Sequence, residues 1–126
     1  MTHRPPGSSD RWFPAEGEPR AVALVLGGLN LAPARMESLC ALLGRLGVES
    51  RLAVFTGHDG DLGALRKVRR SDFLADAGRG WDEAGRRARE LGRPLLLAAF
   101  SLGAVVGNDL LHAREETRFD AMLLFA

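Results

Sequence analysis

Four short apolar runs, separated by polar or glycine-containing segments, dominate the hydrophobic pattern of this chain. They lie at 21–26, 51–55, 95–100 and 121–126. A continuous apolar run of this length, bounded by turn residues, is typical of a strand that is buried on both faces of a parallel sheet. The pattern therefore predicts four strands.

Amphipathic segments fill the gaps between these runs and predict helices over 33–46, 71–91 and 101–114. In each of the first two, apolar residues recur at spacings of three and four, which gives one apolar face. The expected helix boundaries are a C-terminal cap at Gly47 and an N-terminal cap at Ser71. Strands that alternate with helices predict an α/β fold, a three-layer α/β/α arrangement around a mostly parallel sheet.

The chain of 126 residues is long enough for one domain with a single core. We expect that domain to cover residues 21–126. Residues 1–20 are polar and rich in proline, which predicts a mobile lead-in. Trp12 and Phe13 are expected to dock this lead-in onto the surface of the domain.

The third apolar run stops abruptly at Ser101, and small and apolar residues follow at once. A strand that turns directly into a helix, with one hydroxyl at the corner, is the layout of a nucleophile elbow. The strained corner needs small residues two positions to either side, and Ala99 and Gly103 occupy these positions. Serine is also a favoured plain N-cap. The strand–turn–helix context favours Ser101 as a catalytic nucleophile.

A glycine pair after the first predicted strand completes the candidate site. Gly27 and Gly28 let backbone amides turn toward the serine, and the N–H of Leu29 is a candidate donor to an oxyanion. The N–H of Leu102 is the other candidate, at a helix N-terminus whose dipole favours negative charge. Asn30 either donates from its side chain or stabilises the turn. Taken alone, the segment is more typical of a plain turn.

The histidines are poorly placed to activate this serine. His58 lies in a loop at the same predicted sheet edge, where a histidine more often shapes the loop than catalyses. His112 follows Ser101 by eleven residues on one predicted helix, about 16 Å at 1.5 Å per residue. Asp59 and Asp61, beside His58, form too short a ligand set to predict a metal site. We expect no metal.

Composition and charge argue against several classes of binding function. A net charge of +1 gives no bulk electrostatic reason for binding nucleic acid or anionic membrane. No apolar run approaches the roughly 20 residues that span a bilayer. The lone Cys40 excludes an internal disulfide framework and favours a reducing, cytoplasmic location. The glycines lack the G-x-G-x-x-G spacing, so we expect no dinucleotide or other cofactor.

A basic cluster, Trp81 and Cys40 are more simply explained by structural roles than by chemistry. The cluster comprises Arg66, Lys67, Arg69 and Arg70. Without interleaved aromatic residues it is typical of a solvated face, and a cap region that favours an acidic substrate is the weaker alternative. Trp81 and Cys40 are predicted to pack in the core.

Three segments resemble, in this order, the N-terminal part of an α/β-hydrolase of the serine esterase, lipase and aminopeptidase-like superfamily. They are 24–30 (LVLGGLN), 55–60 (FTGHDG) and 99–103 (AFSLG), and 119–126 (FDAMLLFA) is similar to the strand after the nucleophile helix. The resemblance implies a truncated α/β-hydrolase fold and a serine hydrolase of small acyl substrates. Their bond would be a carboxylic ester, or else a thioester or amide.

The chain departs from the family's pattern at two kinds of position. The family often has His-Gly where this chain has Gly27 and Gly28, and Ala99 replaces the first glycine of the elbow. Neither change forbids activity, because the oxyanion donors are backbone groups. The family's acid and histidine follow the nucleophile on later strands, and no histidine follows His112 here. We therefore expect a partial chain that is inactive alone, within a longer active hydrolase.

Two alternatives stay open from the sequence. A non-catalytic hydrolase-like module for binding or interaction is favoured by Ala99, by Gly27 and by the missing histidine and acid. A small flavodoxin-like binding domain is the other, but it needs a phosphate or nucleotide loop that the sequence lacks.

Overall fold

A mostly parallel five-stranded sheet forms the middle layer of the structure, a computed structural model that describes residues 11–27, 33–53, 55 and 69–125. The strands are β1 (Arg11–Phe13), β2 (Ala21–Leu26), β3 (Val48–Ala53), β4 (Leu95–Phe100) and β5 (Ala121–Phe125). The helices are α1 (Pro33–Arg45), α2 (Arg70–Leu91) and α3 (Leu102–Ala113). Strand order is β1-β3-β2-β4-β5, and β1 alone of these runs antiparallel to its neighbour. The predicted fold class is confirmed.

The strand register brings three carboxyl ends level at one edge of the sheet. Leu26, the last residue of β2, pairs with Ala53 of β3 on one side and with Ala99 of β4 on the other. At the end of β4, Phe100 pairs with Phe125 of β5. The turn into α3 therefore begins beside the carboxyl end of β2.

Helices cover both faces of the central strand. The helices α2 and α3 pack on the face that carries Leu24 and Leu26, and α1 packs on the face that carries Ala23 and Val25. All six residues of β2 are buried. This double cover is the physical reason that β2 is a continuous apolar run, because neither face tolerates a polar side chain. The bounds predicted for β2 and β4 are confirmed.

The strand β3 begins at Val48, earlier than the predicted start at Arg51. The polar residues at its start hide the strand in the sequence, and both charged ones have partners on α2. The guanidinium of Arg51 donates to Glu83 at 2.7 Å, and Arg87 donates to Glu49 at 2.7 Å. Long-range ion pairs let this strand carry charges in a half-buried position, which no local pattern reveals.

The helix α2 begins at Arg70, and its N-cap is Arg69. The prediction of Ser71 as the cap is therefore wrong, since Ser71 lies inside the helix. The carboxylate of Asp72 accepts a hydrogen bond from the backbone N–H of Arg69 at 2.8 Å, which sets the start of the helix. At the end of α1, the predicted cap Gly47 is confirmed by its left-handed φ of +86°.

The strand β1 lies inside the segment that the sequence analysis assigned to a mobile lead-in. Arg11 pairs with Leu52 and Phe13 with Ser50, in antiparallel register. Phe13 packs against the core between α1 and the sheet, whereas Trp12 is largely exposed. Residues 11–13 thus extend the sheet by one edge strand, and residues 1–10 lie outside the described part of the chain.

Cys40 and Trp81 both contribute to packing, as predicted. Cys40 is fully buried on the inner face of α1, and its burial raises the pKa of the thiol. Trp81 is half-buried against the core, and its Nε1–H donates to the carbonyl of Arg118 at 3.0 Å.

Across the described ranges, no helix combines the length and apolar character that a membrane span requires.

Replacement of Leu24 by alanine tests the buried position of β2. Leu24 is 0% exposed, so Leu24→Ala should lower the free energy of unfolding by about 2–5 kcal/mol through lost burial and a new cavity. Urea denaturation monitored by circular dichroism measures the change. The matched control is Leu42→Ala on α1, where the side chain is 44% exposed and the loss should stay below about 1 kcal/mol. Equal losses in the two variants would contradict the described core.

Candidate active site

Ser101 stands at the junction of β4 and α3 in a strained backbone conformation. Its φ is 48° and its ψ is −109°, and it is the one non-glycine residue with positive φ within the described ranges. Such a conformation costs roughly 1–3 kcal/mol and persists only where the surroundings impose it. The side chain is exposed and makes no capping hydrogen bond to α3. The plain N-cap role therefore does not explain this serine.

Three hydrogen bonds and one aromatic stack hold the corner in this conformation. The N–H of Ser101 donates to the carbonyl of Phe125 at 2.7 Å, and the carbonyl of Ser101 accepts from Ala104 at 3.0 Å. A second helical amide, that of Val105, reaches the same oxygen at 3.3 Å. The rings of Phe100 and Phe125 stack with centroids 4.4 Å apart. Strand β5 and the first turn of α3 thus fix the serine from both sides.

The small residues that flank the serine are explained by the packing of α3 on β2. A Cβ atom built on Gly103 would lie 2.6 Å from the carbonyl oxygen of Leu26 and 2.7 Å from that of Gly27. Such distances are too short for any side chain, so the first turn of α3 requires glycine here. Ala99 is fully buried at the end of β4, where its methyl group fits without enlarging the corner.

The N–H of Leu102 lies in the first turn of α3, directly after the serine. Helix N-termini leave their first amides without intrahelical acceptors. Within the described residues, this amide has no backbone acceptor outside the helix either. The site therefore offers a donor at the positive end of a helix dipole, where a developing negative charge is stabilised.

The second predicted oxyanion segment is described only at its first residue. Gly28, Leu29 and Asn30 lie outside the described residues, as does His58. Gly27 is described, and its carbonyl lies beside the first turn of α3, as the Gly103 distances show. The chain therefore enters this segment next to the serine, and the roles given to residues 28–30 stay predictions.

Neither the described histidine nor the two aspartates that follow Ser101 are placed to activate the serine. His112 is exposed near the end of α3, with its Nδ1 2.9 Å from the carbonyl oxygen of Asn108, and the continuous helix separates it from the serine by about 16 Å. Asp109 binds Arg70 at 3.0 Å, and Asp120 lies at the amino end of β5, on the far edge of the sheet. Arg70 thus belongs to a surface ion pair, in keeping with a solvated basic cluster.

No group of three or more histidine, cysteine, aspartate or glutamate side chains among the described residues is arranged to hold a metal ion. The loop that contains His58, Asp59 and Asp61 is not described, so the expectation of no metal there stays untested.

Phe125 is the residue of the site that the sequence analysis missed. It lies in an apolar strand and has no polar group outside its backbone, so no residue-type pattern marks it. Strand order was the one available signal. A strand next to β4 in parallel register must place a carbonyl beside the corner, and Phe125 supplies that carbonyl to Ser101.

Several solved structures share this architecture, and two of the three that follow are those of lipolytic enzymes. The chain superposes on a monoglyceride lipase from Saccharomyces cerevisiae with a TM-score of 0.78 and 15% identity, over 97% of this chain and 42% of that one. A structure reported for the metagenome-derived lipolytic enzymes LipS and LipT superposes with a TM-score of 0.70 and 21% identity. The match covers 96% of this chain and 47% of that one. TT1662 from Thermus thermophilus superposes with a TM-score of 0.69 and 26% identity. The match covers 94% of this chain and 52% of that one.

These similarities confirm the resemblance at the level of the fold. The chain has the α/β-hydrolase fold and spans about half the length of the structures to which it is similar. No protein-family model and no curated protein matches the sequence.

The close approach of α3 to β2 is tested by Gly103→Ala. The added methyl group would collide with two backbone carbonyls, so the free energy of unfolding should fall by about 1–3 kcal/mol. Chemical denaturation measures this change. Gly85→Ala on α2 is the matched control, because its Cβ would meet nothing closer than 3.5 Å, and helix propensity should then raise stability by up to about 1 kcal/mol. A stabilising Gly103→Ala would refute the described packing.

Proposed function

We propose that Ser101 is the nucleophile of a serine hydrolase that cleaves carboxylic esters of small acyl substrates, with thioesters or amides as the less favoured bonds. The strained φ of Ser101 is the observation that carries this proposal. Ser101 is a non-glycine residue held at φ 48°, and its hydroxyl is exposed and unused as a cap. Strain of this kind clusters at functional sites. Two structures of the same fold are those of lipolytic enzymes, which supports hydrolysis.

The proposed reaction begins with attack of the Ser101 hydroxyl oxygen on the acyl carbonyl carbon. A general base takes the hydroxyl proton, and the carbonyl oxygen becomes an oxyanion. The N–H groups of Leu102 and Leu29 donate to that oxyanion, with Gly28 and Asn30 shaping the turn that presents Leu29. The protonated base then returns its proton to the leaving oxygen, and collapse of the tetrahedral intermediate breaks the bond to that oxygen, which expels the alcohol and leaves the acyl group on the serine. Water then releases the acid by the same steps.

The base and its acidic partner are assigned to polypeptide outside the described residues. His112 is about 16 Å along the helix, and Asp109 is held in an ion pair with Arg70. The compared structures are about twice as long as this chain, so they contain polypeptide that has no counterpart here. In this proposal hydrolysis is a property of a longer protein.

A non-catalytic hydrolase-like binding module is the second candidate. It is favoured by one observation, that the described residues place no base beside Ser101. In such a module the strained serine would be retained without reactivity. Labelling with an active-site-directed reagent separates the two candidates.

Replacement of the serine tests the nucleophile directly. In the longest protein that the gene encodes, a fluorophosphonate probe should label the unmodified chain, and Ser101→Ala should reduce labelling to background because the attacking oxygen is gone. Gel fluorescence and mass spectrometry of the labelled peptide provide the measurement. Ser71→Ala, an exposed serine on α2, is the matched control and should label normally. Labelling that survives in Ser101→Ala would exclude the proposed nucleophile, and a folded, unlabelled wild type would favour the binding module.

His112→Gln tests whether the base lies elsewhere. The distance along α3 places His112 out of reach of the serine hydroxyl, so the rate of fluorophosphonate labelling should stay within about twofold of wild type. Stopped time courses of labelling at pH 7 measure the rate. A loss of one order of magnitude or more would show that His112 acts on the serine and would overturn the assignment of the base.

A further inference from the structure

A groove of about 590 Å³ lies at the amino ends of β4 and β5, on the edge of the sheet opposite Ser101. The last turns of α2, the loop that follows them and the turn before β5 form its walls. Its volume falls within the range of small-molecule sites, roughly 300–1,000 Å³. Nothing in the proposed hydrolase chemistry uses this groove.

Three arginine side chains of the groove have no anionic partner among the residues that the structure describes. Arg89 and Arg93 come from the end of α2 and the loop after it, and Arg118 comes from the turn before β5. All three residues are exposed, and none forms an ion pair or a side-chain hydrogen bond with another described residue. The groove therefore carries three guanidinium groups that are unpaired within the described ranges.

The two carboxylates that line the same groove are already engaged. Glu116 accepts a hydrogen bond from the guanidinium of Arg114 at 2.9 Å. Asp120 accepts from the backbone N–H of Leu95 at 2.8 Å, which ties the turn before β5 to the start of β4. Glu116 is paired with Arg114, whereas Asp120 keeps its negative charge beside the arginines. Three guanidinium groups and two carboxylates therefore line the groove, and its net charge is positive.

Arg89 and Trp81, both from α2, line the groove at defined positions. A Cβ atom on Gly85 would lie 3.5 Å from Nη1 of Arg89, so the guanidinium of Arg89 folds back over the helix at the position that a side chain would fill. Trp81, one turn earlier on α2, also lines the groove. Its Nε1–H is bound to the carbonyl of Arg118, and the guanidinium of Arg114 lies 5.1 Å from its ring centroid. The aromatic wall is thereby held in place.

We propose that this groove binds a small organic anion with at least two negative charges on phosphate or carboxylate groups. Guanidinium groups match the geometry of both oxyanions and bind them in bidentate fashion. Arg89, Arg93 and Arg118 hold the charged groups, and the rest of the ligand lies against Trp81. The site is separate from Ser101 and does not depend on the hydrolase proposal.

Tryptophan fluorescence provides the test, because the chain contains two tryptophans and one of them lines the groove. A Trp12→Phe background leaves Trp81 as the reporter. Titration with inorganic pyrophosphate, and separately with citrate, at ionic strength held constant with sodium chloride should give a saturable change in emission. Saturation by pyrophosphate alone assigns phosphate ligands, and saturation by citrate alone assigns carboxylates; either outcome supports the site.

Matched charge variants identify the groove as the place of binding. The double variant Arg93→Gln with Arg118→Gln should weaken apparent affinity at least about tenfold, because two bidentate contacts are lost. Arg86→Gln, an exposed arginine of α2 that does not line the groove, should change affinity less than about twofold. A linear response, or equal affinity in the double variant and the control, would overturn the proposal. Far-UV circular dichroism verifies that each variant is folded, and the fluorescence readout is independent of any loss of labelling at Ser101.

Discussion

The first turn of α3 lies so close to the carboxyl end of β2 that a methyl group on Gly103 would sit 2.6 Å from a backbone oxygen. This contact between two backbones determines where the helix starts and in which direction its N-terminus points. It holds the helix on one side of Ser101, the hydrogen bond to Phe125 holds the other side, and between them the serine keeps its strained φ of 48°. The exposed hydroxyl, the amide of Leu102 and the entry to the glycine turn at Gly27 all follow from it.

The strand against which α3 packs is held rigidly in turn. β2 is buried on both faces and has a parallel neighbour on each side. On one neighbour, β3, the buried Arg51 and the half-buried Glu49 are tied to α2 through Glu83 and Arg87. These pairs fasten the longest helix to the sheet in addition to its apolar face. A close backbone contact is tolerated at the elbow because the surrounding layers have little freedom to shift.

The other support of the elbow is the least covered strand of the sheet. All five residues of β5 are exposed, and its four large apolar side chains are between 41% and 52% exposed. Yet the carbonyl of Phe125 binds the amide of Ser101, and the ring of Phe125 stacks on Phe100. The geometry of the proposed nucleophile therefore depends on a strand whose apolar faces are open to solvent. Any polypeptide that covers β5 would also stabilise the corner that holds the serine.

The sequence by itself determined the fold class, the bounds of β2 and β4, and the corner at Ser101, because each is a local consequence of burial. Strands covered on both faces must be apolar throughout, and a sharp strand-to-helix corner must have small residues around it. The start of β3, the cap of α2 and the strand β1 were decided by contacts between distant residues. Arg51 needs Glu83 to enter a strand, and residues 11–13 become a strand only through pairing with residues 50–52. The strain at Ser101 also depends on tertiary contacts. Leu26 lies 75 residues before the serine and Phe125 lies 24 residues after it, and only the folded sheet brings both to the corner.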